Sequence, residues 1–389
     1  MEVVVGPVAH GGHCVARQPD GPVLFVRHAL PGERVRVEVT ERRSGFWRAD
    51  AVEVLSASPD RVSPPCPYAR PGLCGGCDLQ HASPSAQRSW KAAVVEEQLA
   101  RLGGRDVPVS VEELDPTLAW RTRVQYAVGP DGRLGFHRFR SHDVVPVEEC
   151  HIAAPAALAM LGSRWSPALA SVEVVASSGG DVAVLTRRSR TGRARVVDGP
   201  SRVREIVGGR EFTLDADAFW QVHPSVPEVL SAAVVELLAP RAGERAWDLY
   251  AGAGVFAAAL APLVDRVTAV EADQRGQAAA RRSLADLPNV HLVAGDVRRV
   301  LADRAAGSAL RWVDVVVLDP PRSGAGRDVV EEIAARRPRA VAYVACDPAA
   351  FARDVASFAE LGYRLTRVRA FDAFPMTHHV ECVGLFSLA

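Results

Sequence analysis

The chain is predicted to be an α/β protein, with a doubly wound, mostly parallel sheet preceded by a small β-barrel and a strand-rich middle segment. Three observations predict this. From about residue 211 onward, apolar strand-like runs at 246–250, 266–272, 290–294, 313–319 and 340–346 alternate with helical stretches, as parallel strands joined by helical crossovers require. Residues 1–57 read as short strands separated by Gly11-Gly12, Asp20-Gly21 and Pro31-Gly32 turns, which fits a five-stranded barrel of the OB type. Between about 110 and 210, apolar and polar segments alternate at strand spacing. The expected division is therefore 1–57, 58–210 and 211–389.

Taken in order, Val35, Val37 and Val39 alternate with Arg34, Arg36, Glu38 and Thr40, the period of a half-buried strand. Val23–Val26 and Ala51–Leu55 read as two more strands. Ser58–Pro71 is rich in proline and serine and reads as a linker. Ser83–Leu102 reads as one amphipathic helix, opened by Ser83-Pro84 and closed by Gly103-Gly104. Eight arginines between Arg187 and Arg210, and a second group at Arg121, Arg123, Arg133, Arg138 and Arg140, read as solvated charged faces.

The 389 residues suffice for two or three domains with cores of their own. Lys+Arg and Asp+Glu both number 46, so no global basic field points to nucleic acid. No apolar stretch approaches the roughly 20 residues that span a bilayer, and the N-terminus lacks a basic segment followed by an apolar run. A cytoplasmic protein without membrane contact is expected, and a monomer. Seven cysteines in such a chain read as ligands, nucleophiles or core residues rather than disulfides.

Two strand-to-helix junctions carry the candidate chemistry. The first is Asp248-Leu249-Tyr250-Ala251-Gly252-Ala253-Gly254, whose glycines let the backbone approach a ligand. The next strand ends at Glu271, placed for a ribose diol, and the third is followed by Gly295-Asp296, placed for an adenine amino group. The third glycine of the dinucleotide pattern is missing, which argues against a nicotinamide site. The second junction is Tyr343-Val344-Ala345-Cys346-Asp347-Pro348. A thiol there is expected at the rim of the sheet, where a helix N-terminus favours its thiolate.

Together with Phe219-Trp220-Gln221-Val222, Asp319-Pro320-Pro321-Arg322 and Thr377-His378-His379-Val380-Glu381, these segments make the chain resemble the RNA 5-methyluridine (uracil-C5) methyltransferases of transfer and ribosomal RNA. The N-terminal barrel looks like a TRAM domain, an RNA-binding module. The resemblance covers essentially the whole chain and implies a class I (Rossmann-like) methyltransferase domain. It implies S-adenosylmethionine as cofactor and structured RNA, transfer RNA or 23S ribosomal RNA, as partner. By the same resemblance Cys346 is the nucleophile and Glu381 the base. Gln221, Tyr250, Gly252, Gly254, Glu271, Asp296 and Asp319 serve the cofactor, Asp319 also facing the base. Phe219 and Arg322 hold the uracil. Carbon 5 of uracil is a weak nucleophile, so a thiolate must first add to carbon 6, and a base must later remove the carbon-5 proton.

Cys66, Cys74, Cys77 and the distant Cys150 match the iron–sulfur motif of part of that family. Four thiolates suit a 4Fe-4S cluster or a zinc ion, and the resemblance favours the cluster. His378 and His379 are assigned no chemical step. The chain departs from the family's pattern at Ala345, Asp347, His223 and Ala251. A charged Asp347 raises the thiol's pKa unless it is paired or turned away. The rival readings are a non-catalytic RNA-binding protein on the same scaffold, and cytosine-C5 RNA methylation.

Overall fold

The computed structural model describes residues 1–18, 21–303 and 310–389, so Asp20 of the expected Asp20-Gly21 turn lies outside the described residues. Strands β1 (Glu2–Ala9), β2 (His13–Ala16), β3 (Val23–Arg27), β4 (Arg34–Arg42) and β5 (Phe46–Ser56) close into a barrel in the order β1-β2-β3-β5-β4. Val35 and Val37 point inward while Arg34, Arg36 and Glu38 face solvent, as their alternation requires. The segment after the barrel has no regular structure but is anchored. Arg61 donates two hydrogen bonds to the fully buried carboxylate of Glu33.

Helix α1 (Pro84–Gly103) begins where the Ser83 hydroxyl accepts from the Ala86 amide and ends at Gly104 in the left-handed conformation. It is followed by the short strand β6 (Val111–Glu112). A six-stranded antiparallel sheet contains β7 (Arg123–Val128), β8 (Leu134–His137), β9 (Val144–Pro146), β10 (Ser171–Ala176), β11 (Val182–Arg187) and β12 (Arg195–Asp198). Their order is β12-β11-β10-β7-β8-β9, which leaves β12 at an edge. A short helix, α2 (Pro155–Leu158), lies within this unit, and the hairpin of β13 (Arg202–Val207) and β14 (Arg210–Asp215) follows it.

The remaining elements alternate as expected. They are α3 (Val226–Leu238), β15 (Arg245–Leu249), α4 (Val255–Leu260), β16 (Arg266–Glu271), α5 (Gln274–Ser283), β17 (Val290–Ala294), α6 (Val297–Ala302), β18 (Val315–Leu318), α7 (Arg327–Ala335), β19 (Ala340–Ala345), α8 (Pro348–Glu360), β20 (Tyr363–Phe371) and β21 (Glu381–Leu388). The sheet order is β17-β16-β15-β18-β19-β21-β20-β6, with β21 antiparallel between β19 and β20. Strand order reverses between β15 and β18, which opens a crevice at their carboxyl ends. Both candidate junctions reach that edge of the sheet.

Residues 84–112 fall in the 58–210 segment of the sequence division, yet they pack on the C-terminal unit. Helix α1 lies on α8, and β6 extends the sheet beside β20. The reason is a buried ion pair. Lys91 of α1 is fully buried and bonds to the Asp372 carboxylate and to the Phe374 carbonyl at 3.1 Å. Removing one partner of such a pair strands the other's charge out of water.

Lys91→Ala is therefore expected to lower unfolding free energy by about 3–5 kcal/mol. The double variant Lys91→Met, Asp372→Leu should regain most of it. Urea denaturation checks both, and an unchanged midpoint for Lys91→Ala contradicts the anchoring role.

Candidate active site

The glycine turn after β15 forms one wall of a cavity of about 250 Å³. Tyr250 holds a left-handed backbone (φ 63°), a strain that non-glycine residues keep mainly at functional sites. Gly254 also has positive φ, and a Cβ there would meet Leu284 at 2.4 Å. The Gly252 amide donates to Glu271 at 2.7 Å, and the Asp273 amide donates to the other oxygen of the same carboxylate at 2.6 Å. Gln221, Tyr250, Gly252, Glu271 and Asp319 all line this cavity. Asp296 does not. Its side chain accepts from the Arg299 amide and caps α6.

A second cavity, of about 550 Å³, is lined by Cys346, Glu381, Asp319, Arg322, Phe219 and Gln221. The two cavities share Phe219, Trp220, Gln221 and Asp319, so a group in one faces a group in the other across those side chains. Phe219 is 77% exposed, an aromatic face open at the mouth. Buried Arg123 holds its loop in place, donating to the carbonyls of Ala216 at 3.1 Å and Ala218 at 2.7 Å. Arg123 thus leaves the solvated basic face to which its sequence neighbours had assigned it.

The electrostatics of this cavity are carboxylate-rich. Burial pushes the Cys346 thiol up to about 12, and Glu381 and Asp319 push the same way against the opposing pull of Arg322. Burial likewise raises Asp319 to about 7, and it raises Glu381 well above the usual carboxylate range, with neighbouring Asp319 adding to it. The expected thiolate at the helix N-terminus is therefore corrected. Burial and two carboxylates outweigh the helix end, which is already capped by Asp347. That carboxylate accepts from the Ala350 amide at 2.8 Å and faces His10 of the barrel at 3.3 Å. It is both paired and turned away, and it is the smallest of the influences that raise the thiol.

Cys66, Cys74, Cys77 and Cys150 line a third, small cavity of about 40 Å³. It shares Gly76 and Arg121 with the Cys346 cavity, so the cysteine loop walls the reaction site. Among the described residues no group of three or more His, Cys, Asp or Glu side chains is placed to hold a metal ion. The expected metal centre is thus not shown by this structure.

Several site-supporting residues were not singled out from sequence. Asp78, next to Cys77, is buried, and it accepts from His378 Nδ1 at 2.6 Å and from Arg27 of the barrel at 3.3 Å. Burial opposes its charge, but His378 and Arg27 hold the carboxyl down at about 2. The His378 ring packs on His379, centroids 4.1 Å apart, and His379 lines the reaction cavity. Burial, with His378 and Arg322, lowers His379 to about 3, so its ring is neutral. Trp120 lines the same cavity and packs against Cys77 and Cys150. His223, the departure noted in the sequence, stacks on Trp120 and faces the Pro116 carbonyl at 3.1 Å. A Cys-Asp pair after a glycine pair, with two histidines far downstream, gave no signal that they would meet.

Comparison with known proteins matches residues 161–388 to the tRNA (Uracil-5-)-methyltransferase family and residues 1–52 to the TRAM domain. A Streptomyces avermitilis protein described as an uncharacterized RNA methyltransferase is 46% identical, covering 100% of this chain and 98% of its own. The 23S rRNA (uracil(1939)-C(5))-methyltransferase RlmD of Chromohalobacter salexigens is 32% identical, covering 98% of this chain and 88% of its own. The crystal structure of Pyrococcus abyssi tRNA (uracil-54, C5)-methyltransferase with S-adenosyl-L-homocysteine shares the fold at TM-score 0.77 and 22% identity, over 98% of this chain and 99% of that one. With a glycine-turn cavity opening onto a cysteine and two carboxyls, and a barrel at its N-terminus, the chain belongs to the S-adenosylmethionine-dependent tRNA (uracil-5-)-methyltransferase family of RNA-modifying enzymes.

Proposed function

We propose that this enzyme methylates carbon 5 of a uridine in structured RNA through a covalent adduct between Cys346 and carbon 6. One observation carries the reading: Cys346 and Glu381 line a single cavity that shares Gln221 and Asp319 with the glycine-turn cavity. S-adenosylmethionine, when bound, supplies the methyl group. Gln221, Tyr250, Gly252, Glu271 and Asp319 line its cavity, and Asp296 stands one strand away, at the head of α6. Phe219 offers a face on which a base drawn out of its stack can rest. Arg322 and Asp319 orient the ring. Once deprotonated, the Cys346 sulfur adds to carbon 6, which makes carbon 5 nucleophilic; carbon 5 takes the methyl group, and Glu381 in its carboxylate form then takes the carbon-5 proton as the carbon 6–sulfur bond breaks. A base with a raised pKa suits that proton transfer. Two relatives named for 23S rRNA, at 32% and 31% identity, support ribosomal RNA over transfer RNA as substrate.

We propose a 4Fe-4S cluster on the four thiols of the third cavity, a reading supported by the hydrogen-bond donors around them. Backbone amides donate to Cys66, Cys74 and Cys150, and the Gln80 side chain donates to Cys77. Such bonds stabilise thiolate ligands. Burial pushes all four thiols up, Cys74 to about 11, so four neutral thiols fill a small cavity whose donors suit thiolates. A cluster there would staple the loop that carries Asp78 and Gly76.

Nucleoside mass spectrometry of ribosomal and transfer RNA fractions, from cells with wild-type protein or Cys346→Ala, tests the reaction. The variant should lose 5-methyluridine in one fraction, and its rate in vitro should fall by at least ~10³-fold. Unchanged 5-methyluridine in both fractions sinks the uridine reading. Glu381→Gln should still add and methylate but release poorly, leaving a denaturation-resistant RNA–protein band. Absence of that band argues against Glu381 as the base.

Because the Cys346 thiol sits at about 12, its thiolate fraction grows with pH throughout the accessible range. Peptide-resolved iodoacetamide labelling of the cofactor-free protein should rise about tenfold per pH unit between pH 7 and 10. A plateau near pH 9 would mean an ordinary thiol. For the cluster, protein purified without oxygen should hold iron and acid-labile sulfide, both lost in Cys77→Ala. Zinc without sulfide would assign the site to zinc.

A further inference from the structure

The arginine run at 187–210 is not absorbed by the reaction site. The structure gathers part of it into a groove of about 850 Å³ between edge strand β12 and the β13–β14 hairpin. Four arginines line it: Arg188, Arg193, Arg195 and Arg202. Two carboxylates, Asp215 and Asp217, line it as well, but both are already paired. Asp215 meets Arg202 at 3.2 Å and Arg282 at 3.5 Å, and Asp217 meets Arg275 at 2.8 Å. Arg188, Arg193 and Arg195 are exposed, and among the described residues they have no ion pair or side-chain hydrogen bond. The groove therefore carries three uncompensated positive charges in a concavity, on a chain whose formal net charge is zero. Placement adds direction. Asp217, which lines the groove, is two residues from Phe219, an exposed ring that lines the Cys346 cavity.

We propose that this groove binds the ribose-phosphate backbone of the RNA that flanks the base held in the Cys346 cavity, an inference that rests on the RNA reading above. Guanidinium forks match phosphate oxygens in pairs, and phosphate contacts fix register without reading sequence. Strand β12, whose residues line the groove, is an edge strand of its sheet. The occupant is a polyanion rather than a small anion, because a groove of about 850 Å³ far exceeds a single phosphate.

The test uses the full chain with Arg188→Ala, Arg193→Ala and Arg195→Ala combined, all exposed positions whose loss leaves the core intact. Binding is measured by fluorescence anisotropy to a transcribed 23S stem-loop and to unfractionated transfer RNA over a salt series. The plot of log affinity against log salt should flatten by about 2–3, from roughly 0.7–0.9 per phosphate contact. Affinity should fall at least tenfold at low salt and converge with wild type at high salt. The three Arg→Lys replacements should restore the slope. Methylation of a short uridine oligonucleotide, which fills only the base cavity, should be unchanged. Unaltered affinity and slope overturn the proposal, as does an equal loss on the short oligonucleotide. If RNA binding survives but binding to phosphatidylserine vesicles is lost, the groove belongs to a membrane partner instead. Wild-type formation of 5-methyluridine is read in parallel. Its absence with the slope change intact refutes the base chemistry and leaves the groove standing.

Discussion

The carboxylate of Asp78 is the constraint on which the assembled site depends. It is buried where the barrel, the cysteine loop and the C-terminal unit meet, and it accepts from Arg27 of the first and His378 of the last. A buried carboxylate without such partners would be expensive. With them it ties three remote segments to one point. Arg27 also lies over the Phe139 ring, 3.6 Å from its centroid, which brings in the β8–β9 turn of the central sheet. His378 in turn packs on His379, a wall of the reaction cavity. The barrel is therefore coupled to the reaction site rather than hung beside it.

The second constraint is the pair of buried carboxyls, Glu381 and Asp319, beside Cys346. Glu381, Asp319 and a buried surrounding all hold the thiol protonated in the free protein, against one arginine. In the proposed reaction the methyl donor is a cation, and buried carboxyls ionise more readily beside a sulfonium than in the free protein. Asp319 borders both cavities, so it touches both sides of this balance. His10 of the barrel faces the remaining carboxylate, Asp347, at 3.3 Å.

Much of the fold was legible because it rests on local patterns. The valine alternation at 35–39, the capped helix at 84–103 and the strand–helix alternation after 211 each depend on neighbours in sequence. The position of the candidate residues at strand ends was legible for the same reason, since the sheet delivers the ends of parallel strands to one edge. Asp296 shows where that reasoning stops. It lies at the expected strand end, but its side chain turns to cap α6 instead of lining the cavity. The cap uses Asp296 Oδ1, and no sequence spacing tells a capping carboxylate from one that lines the cavity.

The sequence by itself determined the α/β class, the barrel and the two strand-to-helix junctions, because strand period, turn glycines and motif order are short-range properties. Tertiary structure alone decided the upward push on the Cys346 thiol, the partners of Asp347 and the attachment of α1 and β6 to the C-terminal sheet. It also separated Arg123, buried as a clamp, from Arg188, Arg193 and Arg195, open along a groove. The physical reason is common to all of them. Desolvation and Coulomb interactions depend on distances through space, and here the deciding partners lie far apart along the chain.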